Sequence, residues 1–337
     1  MYLYYNSNKM FFYFTLFFST MISISSNSWL GCWIGLEINL LSFIPLISNI
    51  KNLLNTEASL KYFLIQSIAS MNFIFMILMK MIFFKDFEIN NMFSILINSP
   101  LLMKMGSTPF HWWFPNIMEG LNWMNCFILM TWQKISPMIL LSYYMNNMFI
   151  MIIMSMNAMI GAISGFNQTS IRKLMSYSSI NNLGWLLAAL MISENLWILY
   201  FMFYSLFTFI LSYMFSYMNI LYINQLINLN FNFLLKISFI INMFSLGGLP
   251  PFLGFFPKWI IINFLILKKL YFFNFIFLMS SLIMIFFYIR IIYISLMLNF
   301  FKSKWFKIYF KNNFFILINF FSMISLMGLI LNTLFFF

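Results

Sequence analysis

The sequence predicts an all-α polytopic membrane protein of about eleven transmembrane helices, and three observations carry that prediction. First, 63% of the 337 residues are hydrophobic and 7% are charged, with a mean hydropathy of +0.92. Second, apolar runs of about twenty residues recur along the whole length, each long enough to cross a bilayer as a helix. They are continuous, whereas a strand barrel would need alternating segments of roughly ten residues. Third, two runs carry the same punctuation. Aligning Gly106 with Gly248 gives G-x-x-P-F-x-x-x-F-P in both, through Pro109-Phe110 to Phe114-Pro115 and through Pro251-Phe252 to Phe256-Pro257, with a lysine on one flank of each. Paired broken helices beside intramembrane charges point to an ion-handling membrane protein built from a repeat.

The expected segments lie near 10–26, 29–48, 57–84, 93–118, 123–145, 148–166, 171–192, 196–218, 234–267, 271–299 and 312–337, and the fourth and ninth are broken, with Gly and Pro expected to end the helix over 105–109 and 246–251. Helices five apart cross in opposite directions, which is the arrangement of an inverted repeat. The chain therefore divides into a first five-helix repeat over 1–146, a second, inverted one over 147–300, and a loop with one appended helix over 301–337. Lys9, Lys51, Arg172, Lys173, Lys236, Lys302, Lys304, Lys307 and Lys311 fall on the N-terminal side, against Lys85, Lys268 and Lys269 on the other. The positive-inside rule then puts the N-terminus on the inner side and the C-terminus outside.

The net charge of +12 does not argue for nucleic acid, because the basic residues sit in short loops and at helix ends. Cys32 and Cys126 both lie in apolar segments, which speaks against a disulfide scaffold. Two cysteines cannot ligate an iron–sulfur cluster that needs four, and the single histidine cannot hold a haem from both sides. No phosphate-binding glycine loop is present. There is no valine and only two arginines, against 48 Phe and 31 Met. Membrane physics does not demand that bias, whereas an A+T-rich organellar gene would produce it. The first ten residues lack an import-peptide pattern, so synthesis inside a mitochondrion is expected.

The candidate functional residues are the charges placed within these runs. Glu37 is ninth in the run from Trp29, Lys104 precedes the first break, Lys134 is central in the fifth segment, and Lys258 follows the second break. Each costs roughly 2.5–3.5 kcal/mol in lipid, so the four together cost on the order of 10–14 kcal/mol if uncompensated. Burial disfavours the charged form of a lysine and an adjacent carboxylate restores it, so neighbours decide whether it holds a proton. A broken helix also frees backbone groups that hold water where the bundle lines a cavity. Ser107, Thr108 and His111 add exchangeable groups at the first break, and Asn242 and Ser245 are polar neighbours of the second. His111 has two open readings, a proton relay or a simple hydrogen bond to a freed carbonyl. A purely structural Lys104–Glu37 pair is the plain alternative at that site. Lys80 and Arg290, nearer helix ends, read as snorkelling side chains, and Glu57 with Lys61 reads as a local i,i+4 ion pair.

Ser28-Trp29-Leu30-Gly31, Gly35-Leu36-Glu37-Ile38-Asn39-Leu40, Thr56-Glu57-Ala58-Ser59-Leu60-Lys61-Tyr62-Phe63, Pro109-Phe110-His111 and Leu249-Pro250-Pro251-Phe252 carry a resemblance. Met130-Thr131-Trp132-Gln133-Lys134 and Ser178-Ser179-Ile180-Asn181-Asn182-Leu183-Gly184-Trp185 extend it. Together they closely resemble the NADH dehydrogenase subunit 2 family of mitochondrial respiratory complex I in its insect-like form, one of the antiporter-like subunits of that complex. The match is specific from about Ser28 to Lys258 and looser beyond. The resemblance implies eleven helices, a multi-pass place in the mitochondrial inner membrane with the N-terminus on the matrix side, and proton translocation coupled to electron transfer from NADH to ubiquinone. It puts the family's buried glutamate on Glu37 and its functional lysines on Lys104, Lys134 and Lys258, with His111 less certain as a proton carrier. It implies no cofactor in this chain, with NADH, FMN, iron–sulfur clusters and ubiquinone in other subunits. The implied partners are neighbouring membrane-arm and antiporter-like subunits and the bilayer, cardiolipin included. Two other classes stay open: a free-standing cation/proton antiporter, and a scaffold subunit that does not pump.

Overall fold

The computed structural model describes residues 7–49, 52–83, 91–226, 233–297 and 312–326. Lys51, Lys85, Lys302, Lys304, Lys307 and Lys311, on which the expected orientation partly rests, lie outside these residues, as does the stretch 327–337 of the last expected helix. The described residues form fourteen α-helices and one 3-10 turn, with no strand. They group into two compact units, Met1–Ile153 and Met154–Phe337.

The first unit holds α1 (Ser7–Ser25), α2 (Trp29–Ile47), α3 (Leu53–Phe83), α4 (Asn91–Met105), α5 (Trp113–Gly120), α6 (Trp123–Met130), α7 (Trp132–Ser142) and the start of α8 (Asn147–Gly165). Here α1 packs on α2 and α2 on α3; α3 touches both α4 and α5, and α4 touches α7. The second unit holds the rest of α8, then α9 (Ile171–Ile192), α10 (Glu194–Met218), the 3-10 turn Ile223–Leu226, α11 (Phe233–Gly247), α12 (Phe255–Leu267), α13 (Tyr271–Met297) and α14 (Asn312–Leu326). In it α9 packs on α10, α10 touches both α11 and α12, and α11 touches α13.

Length and composition suit five helices to cross a membrane unaided: Trp29–Ile47, Leu53–Ile82, Asn147–Gly165, Glu194–Met218 and Tyr271–Ser295. Their outer faces are apolar, with Leu64, Met71 and Phe75 exposed on α3 and Phe275, Leu282 and Phe286 on α13. Such faces need lipid rather than water. The interior carries polar groups as well, because α9 is buried at every position from Ser178 to Leu190 and contributes Ser178, Ser179, Asn181 and Asn182 to it. Hydroxyls inside the helices mostly turn back on their own backbone, as in Ser19 to the Leu16 carbonyl (2.8 Å) and Ser178 to that of Met175 (2.7 Å). In a medium without water this satisfies the donor at no cost in partners.

Prolines are handled in the same way. Pro100 lies inside α4 and supplies no N–H to the carbonyl of Leu96. The Ser99 hydroxyl donates to that carbonyl instead, at 2.9 Å.

Both expected breaks are present, displaced slightly from their expected positions. The stretches 105–109 and 246–251 were expected to lose helix; the helices instead end at Met105 and Gly247 and resume at Trp113 and Phe255. Each break therefore spans seven residues, 106–112 and 248–254. Each opens on a glycine in the left-handed region, Gly106 at φ 70° and Gly248 at φ 78°. A side chain is disfavoured there by about 1–2 kcal/mol, which explains the shared glycine. The fifth segment, expected as one helix over 123–145, is also interrupted. Thr131 (φ −117°, ψ −75°) separates α6 from α7, and Pro137 follows a turn and a half later.

Candidate functional site

The functional residues expected from sequence occupy the two broken segments and the helices packed on them. At the first break the carbonyls of Leu102, Met103 and Lys104 near the end of α4 find donors. Leu102 accepts from the Ser107 N–H and hydroxyl, both at 3.1 Å, and Met103 accepts from the Gly106 N–H (3.2 Å) and the Trp113 indole (3.1 Å). The Lys104 carbonyl accepts from the Gln66 amide of α3 at 3.1 Å. These local partners leave the Lys104 ammonium uninvolved in closing the helix end.

The Lys104 side chain is buried, with 7% of its surface exposed. Glu37 is half-buried on α2 and acts on Lys104 electrostatically, yet the two make no direct ion pair. His111 is buried in the same break, its Nδ1 lying 3.3 Å from the carbonyl of Pro109. That contact is the carbonyl hydrogen bond of the plainer reading.

Lys134 lies in the first turn of α7, directly after the interruption at Thr131, and is 1% exposed. Its Nζ stands 5.1 Å from the centre of the Phe114 ring, a cation–π arrangement of the kind that holds a desolvated charge. A Cβ on Gly106 would meet Phe114 at 3.0 Å. One aromatic side chain thus fills the space between the first break and Lys134.

Beside Lys134, the Gln133 amide donates to Asn39 Oδ1 on α2 (2.9 Å), and the Tyr62 hydroxyl on α3 points to Gln133 Oε1 (3.4 Å). Sequence reasoning singled out neither Gln133 nor Tyr62. Both stand in the motifs that carry the resemblance, where neither is given a role.

In the second unit the carbonyl bookkeeping differs. Phe244 accepts from Gly248 and Leu249, at 2.9 and 3.2 Å, while the Gly247 carbonyl accepts from the Nζ of Lys258 at 2.7 Å. Lys258, 5% exposed, therefore reaches back from α12 to close the end of α11. Its ammonium also lies 5.5 Å from the ring centre of Trp185 on α9. Around it is a cavity of about 20 Å³, room for about one water, lined by Asn182, Tyr200, Tyr204, Ser245 and Lys258 among others. The Tyr200 hydroxyl donates to Asn182 Oδ1 at 3.1 Å. Of these lining residues, sequence reasoning named only Lys258 and Ser245 as candidates.

Away from the breaks, Lys61 and Glu57 form the expected i,i+4 ion pair on an exposed face. Lys80 does not reach for the surface as expected, since its ammonium donates to the Tyr144 hydroxyl at 2.6 Å. Arg290 Nη2 donates to the Gln168 carbonyl, in the loop between α8 and α9, at 3.1 Å. A single cation near a helix end cannot reveal whether an acceptor from another helix stands nearer than the headgroups. Among the described residues, no three His, Cys, Asp or Glu side chains converge as metal ligands.

Residues 26–284 match the family described as NADH:quinone oxidoreductase/Mrp antiporter, TM. Over 303 residues the chain is 51% identical to the NADH-ubiquinone oxidoreductase chain 2 of Anopheles gambiae, covering 89% of this chain and 88% of the relative. It is 40% identical to that of Locusta migratoria over 331 residues, 97% of each. Among solved structures, the fold resembles a chain of respiratory complex I from Thermus thermophilus with a TM-score of 0.84 at 19% identity, covering 96% of this chain and 78% of that one. A chain of the Mrp complex from Dietzia sp. is similar at a TM-score of 0.72 and 13% identity, covering 84% and 59%.

Proposed function

The chain belongs to the NADH:quinone oxidoreductase/Mrp antiporter transmembrane family, and from that premise we propose that it is a core membrane-arm subunit of respiratory complex I in the mitochondrial inner membrane. In this reading it carries protons across the membrane while electrons pass from NADH to ubiquinone in other subunits. The observation that supports it most is the burial of Lys104, Lys134 and Lys258 inside apolar helices, two of them at seven-residue breaks. A buried ammonium inside an apolar helix is costly, and a chain that keeps three has a use for their charge.

The working parts follow from this. In the first repeat Glu37 acts on the charge of Lys104 without contacting it, Lys134 links the first half of the path to the second, and Lys258 serves the second repeat. His111, in the break that follows Lys104, serves as a further proton carrier of the first repeat. Changes in the charge of one group alter the protonation of the next, which is how a chain of such sites passes a proton without a fixed wire.

Eleven crossings are part of the reading: two inverted five-helix repeats over 1–146 and 147–300, and one appended helix over 301–337. The packing scheme supports them: α3 on α4 and α5 matches α10 on α11 and α12, and α4 on α7 matches α11 on α13. The N-terminus lies on the matrix side, the redox cofactors lie in other subunits, and the neighbours are other antiporter-like subunits with lipid, cardiolipin among it.

The test is Lys134→Met in the assembled complex. Met keeps the long stem and removes the charge, so insertion becomes cheaper and assembly is expected to survive. Proton uptake per NADH oxidised in reconstituted vesicles is expected to fall. Normal assembly with unchanged stoichiometry and rate would make Lys134 structural and favour the scaffold reading. The likeness to an Mrp chain keeps a free-standing antiporter as the second reading. Cation/proton exchange by this chain alone in vesicles would establish it.

A further inference from the structure

Helices α9, α10 and α11 of the second unit converge on Lys258 of α12, where Asn182 Nδ2 and Trp185 Nε1 have no hydrogen-bond partner. Asn182 on α9 is 2% exposed, and its Oδ1 is taken by the Tyr200 hydroxyl of α10, while its Nδ2 has no hydrogen-bond partner. Turning the amide over does not help, because one end of it still meets Tyr200 and the other still lacks an acceptor or donor. A buried amide hydrogen without an acceptor is costly, so the position asks for a ligand. Asn182 lines the cavity of about 20 Å³ that Lys258, Ser245 and Tyr204 also line, and a space of that size holds about one water.

The hydrogen-bond inventory of the cavity fits a water. Lys258 has three N–H donors and gives one to the Gly247 carbonyl, leaving others for the cavity. The Ser245 hydroxyl gives its proton to the Asn242 carbonyl and keeps lone pairs that accept. A water here accepts from Asn182 and from Lys258, and donates to the hydroxyl oxygens of Ser245 or Tyr204.

We propose that Asn182, held in place by Tyr200, positions a buried water against the Lys258 ammonium and that this water is the first acceptor of the lysine's proton. The inference rests on the reading of Lys258 as a proton-carrying group. In the step, one N–H bond of the ammonium breaks and an O–H bond forms on the water. The water gives one of its own protons to the next hydroxyl or water, so it is regenerated and Lys258 is left a neutral amine. Asn182 and Tyr200 are positioning residues, since neither takes the proton.

The experiment compares four variants of the assembled complex in vesicles, read as proton uptake per NADH oxidised alongside assembly and electron transfer to quinone. Lys258→Met is the control and lowers uptake. Asn182→Leu, which replaces the amide by an apolar group of similar size, is expected to lower uptake as far as the control does. Tyr200→Phe, which frees the amide to turn, is expected to lose part of it. Asn182→Ser keeps a hydrogen-bonding group and makes room for water, and is expected to restore uptake relative to Asn182→Leu. Full uptake in Asn182→Leu with a lowered Lys258→Met overturns this inference alone. Full uptake in Lys258→Met overturns the reading of Lys258 and the inference with it. If Asn182→Leu does not assemble, ordered water density in the unmodified complex decides: a water within hydrogen-bond reach of both Asn182 and Lys258 supports the site, and density lacking one sinks it.

Discussion

A methyl group added to Gly248 would lie 2.8 Å from the Nζ and Cδ of Lys258, and the backbone there stands at φ 78°. Two penalties therefore coincide at one residue, a left-handed conformation that costs a side chain about 1–2 kcal/mol and displacement of the lysine that closes α11. Gly248→Ala is expected to lower both the heat-inactivation midpoint of the complex and its proton uptake. Gly106→Ala meets only Phe114 at 3.0 Å and is expected to lower stability with a smaller effect on uptake, through Lys134 beyond that ring. Equal losses of uptake in the two variants would refute the distinction. At this scale the sequence was half legible. Lys104, Lys134 and Lys258 stood out because a charge in an apolar run is rare. Asn182, Gln133 and Tyr62 did not, because a neutral polar residue has no spacing signature and acquires its meaning from a partner on another helix.

Helix breaks show the same limit at the scale of elements. The fourth and ninth segments announced theirs through Gly and Pro together, and in the structure each break starts within two residues of the expected position and runs three residues further. The interruption between α6 and α7 was not foreseen, although Ser136-Pro137 stood in the sequence. A proline disturbs a helix about a turn before itself, and Thr131 lies further back than that rule alone reaches. Thr131 contributes by bonding its own hydroxyl to the Phe127 carbonyl at 2.8 Å, which competes with the regular ladder. Pro137→Ala restores a donor for the Gln133 carbonyl and is expected to join α6 to α7, turning Lys134 away from Phe114 and lowering uptake without loss of assembly. A structure of the variant checks this, and an interruption persisting at Thr131 would assign the break to the threonine.

For the whole molecule, the fold class followed from hydropathy alone, whereas sidedness rests on loop lysines that are few. Labelling tests it directly, and the chain is suited to that measurement because both native cysteines, Cys32 and Cys126, are buried. Asn167→Cys and Lys268→Cys place single exposed thiols in loops expected on opposite sides of the membrane. An impermeant maleimide added to mitochondria stripped of their outer membrane is expected to label position 268 and spare 167, with the reverse in inverted membrane particles. The opposite pattern would turn the protein over in the membrane and exchange the two ends of the proposed proton route.

The way polar groups are satisfied also bears on how the chain is made. Most serine and threonine hydroxyls are bonded within their own helix, so each helix can leave the insertion machinery with those donors already content. The amides are different. Asn39 on α2 receives its bond from Gln133, which emerges from the ribosome 94 residues later, and the Leu46 carbonyl receives a bond from Asn125, 79 residues later. Until the fifth segment arrives, α2 sits in the bilayer with an unmatched amide at its centre. Early helices must then wait in the company of lipid or an insertase, and the arrival of α6 and α7 is the event that locks the first bundle.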